Sequence, residues 1–77
     1  MEANKKVDCY GLLCPMPIVL TADTIKGMEI GEILEVRASD EGIKHDMPAW
    51  CKVTGQRFMG IEERDGEYFA YVQKIKA

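Results

Sequence analysis

Residues 7–20 read VDCYGLLCPMPIVL, and the fold turns on how that stretch divides. Its first part alternates. Val7 and Cys9 point to one side and Asp8 and Tyr10 to the other, which is the pattern of a strand with one buried face. Gly11 ends the strand. After it the period changes: Ile18, Ala22 and Ile25 recur at i, i+4 and i+7. That spacing predicts a helix from Pro15 to Lys26 with this stripe turned inward and Gly27 as its stop. A strand that passes through one short turn into a helix is the first half of a β-α-β unit.

The second unit repeats the order. In EILEVRAS (32–39), Leu34, Val36 and Ala38 share one face and Glu35 and Arg37 the other, so this is a second strand. DEGIKH (40–45) reads as a polar loop. Asp46 then reads as an N-cap, with Pro48 in the first turn of a short helix. Met47, Trp50 and Cys51 form the inward stripe of that helix, and Gly55 closes it. QRFMGIEE and EYFAYVQKI are two further strands, joined by Asp65-Gly66, a strong type I′ hairpin signal. Gly60 inside the third strand points to a bulge or a close backbone approach. The order β-α-β-α-β-β predicts an α/β (α+β) two-layer sandwich: a four-stranded mixed sheet with two helices on one face, because right-handed crossovers place both on the same side. The other sheet face is open or partnered. Tyr68, Phe69 and Tyr71 divide between it and the core in a way the spacing does not assign.

Length and composition bound what such a chain does. Seventy-seven residues make one domain, 1–77, with a thin core. An apolar content of 47% with 30% charged residues is that of a folded chain rather than a disordered one. A net charge of −3 argues against direct nucleic-acid binding, which goes with a basic excess, although it leaves room for a local basic patch. No apolar run approaches the roughly 20 residues of a membrane span, and MEANKKVDCYG has no apolar signal region, so a cytoplasmic location away from membranes is expected. Three cysteines, an odd number, do not suggest a disulfide framework; in a reducing compartment they are free thiols.

One of these thiols stands out. Cys14 falls at the predicted N-cap of the first helix, with Pro15 as N1 and Pro17 as N3. Proline fits there because first-turn amides have no intrahelical partner, and two of them hold the turn rigid. The remaining donors, the N–H groups of Met16 and Ile18, are then free to face the sulfur. A helix N-terminus commonly lowers a thiol pKa, so this placement predicts a nucleophilic thiolate, and a site able to hold an anionic persulfide. The simpler alternative is a well-made helix start with a small apolar residue before it. Cysteine, however, is not a preferred N-cap, whereas Ser, Thr, Asp and Asn are.

GLLCPMPIVL resembles the C-P-x-P signature of the TusA/SirA-like sulfur-carrier family. The likeness continues through GEILEV, SDEGIKHDMPAW, TGQRF and the final hairpin, from about Val7 to Lys76. The resemblance implies a small sulfurtransferase with the two-layer sandwich also found in the C-terminal domain of translation initiation factor three. It implies that Cys14 accepts sulfane sulfur as a persulfide and passes it to a partner, with Gly11, Pro15, Met16, Pro17 and Ile18 shaping the site. The implied donor is a cysteine desulfurase or a rhodanese-like protein and the implied acceptor a DsrE-type subunit. The sulfur would end in thiolated tRNA, the molybdenum cofactor or a sulfur-oxidation route. A monomer suits such a shuttle. It would act as a carrier rather than a free-standing multiple-turnover enzyme, with no cofactor. The family often has a basic residue where Tyr10 stands, so contacts to partners do not carry over at that position.

The other candidates divide between packing and function. Cys9, inward by its alternation with Val7, reads as core; only if it faced the loop could it pair with Cys14 as a redox switch. Cys51 reads as core beside Trp50. Cys9, Cys14, Cys51 and His45 match no zinc spacing, so no metal is expected. Lys44, His45 and Asp46 are either a solvated loop or a small spot that meets a partner, and sequence does not settle whether they lie near Cys14. Asp46 reads as a helix cap rather than a catalytic acid. A different class of function also stays open: a regulatory or protein-binding module that uses the open sheet face.

Overall fold

The computed structural model describes residues 2–76. The elements run β1 (Lys5–Cys9), α1 (Met16–Lys26), β2 (Ile33–Ala38), α2 (Ile43–Thr54), β3 (Arg57–Arg64) and β4 (Glu67–Gln73). They form one four-stranded sheet in the order β1-β2-β4-β3. β1 lies parallel to β2, and β4 is antiparallel to both its neighbours. The last strand is therefore inserted between β2 and β3, and the first three strands all run the same way. That is the expected β-α-β-α-β-β sandwich with a mixed sheet.

The strands follow their alternation. Leu34, Val36 and Ala38 of β2 and Ala70 and Val72 of β4 are fully buried and pack with Cys9, Met47 and Cys51 in one cluster under the helices. The aromatic residues of β4 now have assigned faces. Tyr68 joins the core cluster, while Tyr71, in register with Glu35, turns to the outer face and donates its hydroxyl to Glu35 Oε2 at 3.0 Å. The ladder shifts between Phe58 and Gly60, a bulge at the glycine the sequence singles out, which has φ 135°. Asp65 and Gly66 both have positive φ, 51° and 77°, as a type I′ turn requires.

Both helices differ from expectation in phase or start. In α1 the buried residues are Pro17, Thr21 and Ile25, with Ile18 and Ala22 only half-buried beside them. A polar residue sits in the stripe because the Thr21 hydroxyl donates to its own helix, to the Pro17 carbonyl at 2.7 Å, and so carries no unmet polar group into the core. The cap of α1 is Pro15, one residue later than predicted; Pro17 is thus N2 and Cys14 lies just outside the helix. The Pro15 carbonyl receives the first helical bonds, from Ile18 and Val19.

α2 begins at Ile43, just over a turn before the predicted start, so Asp46 and Pro48 lie inside the helix and Asp46 is not its N-cap. The turn that starts the helix is made instead by Asp40, whose Oδ1 accepts the Gly42 N–H at 3.0 Å. Its buried stripe is Ile43, Met47 and Cys51, with Trp50 half-buried at the edge. Gly55 ends it in the left-handed conformation, φ 81°, with its N–H bonded to Cys51 O.

Candidate functional site

Because β1 and β2 are parallel neighbours, the turns that follow them leave from the same edge of the sheet. The first turn carries Cys14 and the second carries Ser39 and Asp40. The two are tied together. Leu12 N–H bonds to Cys9 O at 3.1 Å and closes a turn that Gly11 passes with φ 84°, a conformation that favours glycine. Gly11 N–H then donates to Ser39 Oγ at 2.9 Å, and Cys14 N–H donates to Asp40 Oδ2 at 3.0 Å. Asp40 thus accepts from two backbone amides with separate oxygens. Those bonds, the one from Gly42 before the one from Cys14, hold its carboxyl below the ordinary carboxylate range.

α2 completes the site. Asp46 projects from its first turn, and the Cys14 thiol donates to Asp46 Oδ2. This contact decides the electrostatics of the cysteine. The hydrogen bond from the thiol to Asp46, then partial desolvation, then the negative charges of Asp46 and Asp40, all favour the protonated form. The Cys14 pKa is raised above the ordinary thiol value of 9.0. The expected helix-stabilised thiolate is not what the fold builds. The two amides assigned to it are already used: Met16 N–H donates to Leu13 O at 2.9 Å and Ile18 N–H to Pro15 O at 3.0 Å. The resting site is a thiol next to a proton acceptor.

Cys14 is exposed, while the other two free thiols are buried. Desolvation raises both buried cysteines, Cys51 to about 11, and neither opens to solvent. Two residues close to Cys14 in the chain expose apolar side chains, Leu13 at 74% and Met16 at 42%. Pro15 is exposed and joined to Cys14 by a cis peptide bond, Pro17 is buried in the core, and Ile18 packs against it. Of Lys44, His45 and Asp46, only Asp46 reaches the thiol. Lys44 turns to the hairpin, with Nζ 3.6 Å from Glu63 and over the Tyr68 ring. The His45 side chain is 92% exposed, 3.8 Å from the other oxygen of Asp46. Among the described residues no group of three or more His, Cys, Asp or Glu side chains converges as a metal site.

The family model for sulfurtransferase TusA matches residues 5–74, which is nearly the whole chain. The chain belongs to the TusA sulfurtransferase family. Among TusA relatives, YrkI of Bacillus subtilis is 49% identical over 74 residues, 96% of this chain and 99% of that protein. Sulfur carrier protein TusA of Allochromatium vinosum is 34% identical over 95% of this chain and 96% of its own length. Other members are larger: the chain spans only 38% of a relative from Aquifex aeolicus that is 35% identical to it. The crystal structure of a SirA-like protein from Desulfitobacterium hafniense superposes with a TM-score of 0.81 over 94% of this chain and 99% of that one. At 16% identity this last likeness speaks for the shared TusA/SirA-like fold alone. Two residues tied to the Cys14 turn, Ser39 and Asp40, escape a reading confined to the C-P-x-P segment. The available signal is an Asp-x-Gly turn directly after a strand parallel to β1, since such turns share the edge where sites gather.

Proposed function

We propose that this protein is a sulfur carrier that takes sulfane sulfur onto Cys14 as a persulfide and delivers it to a partner protein. The observation that carries the reading is the bond between the exposed Cys14 thiol and Asp46. A nucleophile needs an accessible sulfur and a place for its proton, and this pair supplies both.

The reaction balances without a cofactor. As Cys14 approaches the donor persulfide R–S–SH, Asp46 takes the thiol proton. The Cys14 sulfur attacks the outer sulfur of the donor, a new S–S bond forms, the donor's own S–S bond breaks, and R–S⁻ leaves. The product is Cys14–S–SH. An acceptor thiolate then attacks the outer sulfur and releases Cys14 as thiolate, which recovers its proton through Asp46. Nothing is oxidised or reduced overall, and the rate follows nucleophile and leaving-group pKa and access, as in thiol–disulfide exchange. Asp40 keeps the Cys14 backbone fixed while the sulfur changes partners. Leu13 and Met16 offer the apolar rim against which a partner's cysteine is brought up. The donors we envisage are a cysteine desulfurase or a rhodanese-like protein and the acceptor a DsrE-type subunit, with thiolated tRNA, the molybdenum cofactor or sulfur oxidation as destinations.

The alternative, a binding module that works through the open sheet face, finds less support. That face is covered by its own charges. Arg37 pairs with Asp8 at 2.9 Å and with Glu67, and Arg64 lies 4.1 Å over the Phe69 ring. A partner would have to displace these pairs before it reached any apolar surface.

The test is the intact mass of the reduced protein after incubation with a cysteine desulfurase and cysteine, and separately with thiosulfate or polysulfide. Gain of one or more sulfur atoms, removed by a reducing agent and absent in Cys14→Ser, supports the carrier. No gain from any donor while Cys14 still reacts with a thiol probe overturns it.

A further inference from the structure

At the other end of the helices lies a second site of different character. A groove of about 360 Å³ opens between the C-terminal turns of α1 and α2 and the segment that follows β4. Its apolar wall is Ala22, Ile25 and Trp50, and its cations are Lys26, Lys74 and Lys76. Among the described residues no Asp or Glu side chain lines it.

Lys74 is the unusual member. It is only 7% exposed, and its ammonium is 2.8 Å from the Met28 carbonyl oxygen. An ammonium has three donors, and among the described residues this one has a single hydrogen-bond acceptor and no ion pair. The carbonyl and the negative end of α1 offset part of the cost of burying that charge; a counter-anion would offset more. Lys76 is aimed by a built device. Gln56 Oε1 accepts the N–H groups of Ile75 and Lys76 at 2.9 and 3.2 Å, and Gln56 Nε2 donates to Lys76 O at 3.2 Å. The Lys76 side chain then lies over Gly55, where a Cβ would meet its Cδ at 2.8 Å. Lys26 is held only loosely, 3.9 Å from Asp23 and exposed.

We propose that this groove binds a small organic carboxylate with an aromatic body, the ring against Trp50 and Ile25 and the carboxylate among Lys26, Lys74 and Lys76. The volume is that of a small-molecule site, and an apolar wall lined with charges of one sign is the arrangement that selects an amphipathic anion. Neither an apolar ligand, which would leave Lys74 unanswered, nor a bare inorganic anion, which would leave the Trp50 wall wet, uses both halves. The site lies away from Cys14 and Asp46, which stand where the helices begin, so a ligand here leaves the thiol accessible.

The probe is phenylacetate, titrated into isotope-labelled protein while amide and indole resonances are followed. Trp50 is the sole tryptophan, so its indole N–H is an unambiguous reporter. Saturable shifts of the Trp50 indole and of Gly55, Gln56 and Lys76, with Cys14 and Asp46 unmoved, are expected. The double variant Lys26→Gln/Lys76→Gln changes two exposed side chains and keeps the fold; it should weaken binding about fivefold or more, as should a rise in salt. Equal binding of neutral phenylacetamide would overturn the proposal, since the charge would then be irrelevant. Equal shifts with inorganic phosphate would overturn it too, as a cation cluster with no use for its wall. So would the absence of saturable shifts below about 10 mM, weaker than any specific site of this size needs to be.

Discussion

Cys14 and Cys51 are the same residue in opposite settings, and both hold their protons more tightly than an ordinary thiol. The causes differ. Cys51 is raised by burial alone, in a cluster with Met47, Leu34 and Val36. Cys14 stands in solvent and is raised chiefly by the hydrogen bond it gives to Asp46, with the charges of Asp46 and Asp40 behind it. A thiol protected by packing is released only by unfolding. A thiol protected by one carboxylate is released by moving that carboxylate or its proton. The fold thus guards two cysteines by burial and one by a single exposed contact.

The strongest way to break this contrast is to exchange the roles. Cys14→Ser should remove sulfur loading completely, whereas Cys9→Ala and Cys51→Ala should keep it. Intact-mass measurement after incubation with a desulfurase decides, and loading that survives Cys14→Ser would place the carrier sulfur elsewhere.

How far this contrast could be read from sequence depends on range. The strands were legible because alternation is a local signal: Leu34, Val36 and Ala38 face the core as the period demands, and Cys9 with them. Asp65-Gly66 and Gly60 were legible because their backbone angles need those residues. The helix phases were less so. Thr21 counts as polar until its bond to Pro17 is seen, and Asp46 looks like a cap because caps and acids share a residue type. In the site itself Cys14 and the Gly11 turn were legible, and Asp46 was singled out only as a cap or partner contact. The partners of Cys14, Asp40 and Asp46, come from 26 and 32 residues away, and no local pattern encodes a contact across that distance. The thiolate expectation failed for the same reason: it counted the helix amides and could not count the carboxylate.

On the packing side the contrast sharpens with Met47, fully buried next to Cys51 in α2. Met47→Ala should cost about 2–5 kcal/mol by leaving a cavity, a large share of the stability of so small a domain. Urea unfolding measures it. A cost near zero would mean that the core yields easily, and that burial is a poor guard for Cys51.

A smaller effect is expected where the guard is a charge. Asp46→Asn removes the negative charge and the strong acceptor that favour the protonated thiol. The pH profile of Cys14 alkylation by iodoacetamide should move to lower pH, and the rate at neutral pH should rise several-fold. Cys51 should stay unreactive in both proteins until they unfold. A profile that does not move would mean that Asp46 does not control the thiol.

The smallest effect distinguishes the two regions by their pH dependence. Asp40 accepts the Gly42 and Cys14 amides, and its folded pKa is lowered from the ordinary 3.8. A lowered carboxylate pKa contributes stability above the unfolded value, and that contribution is lost as pH falls through the folded one. The difference between the wild-type protein and Asp40→Asn should therefore be present at pH 7 and shrink below about pH 4. The single asparagine oxygen keeps one of the two amide bonds and gives up the other, so the difference starts below the cost of Met47→Ala. The cost of Met47→Ala involves no proton and should keep its size across the same range. Urea midpoints of the three proteins at neutral and acid pH separate the two behaviours. If the Asp40→Asn difference persists at low pH, the carboxylate charge does not hold the Cys14 turn. The turn would then depend on packing, as the core does, and the distinction between a thiol guarded by charge and one guarded by burial would lose its structural basis.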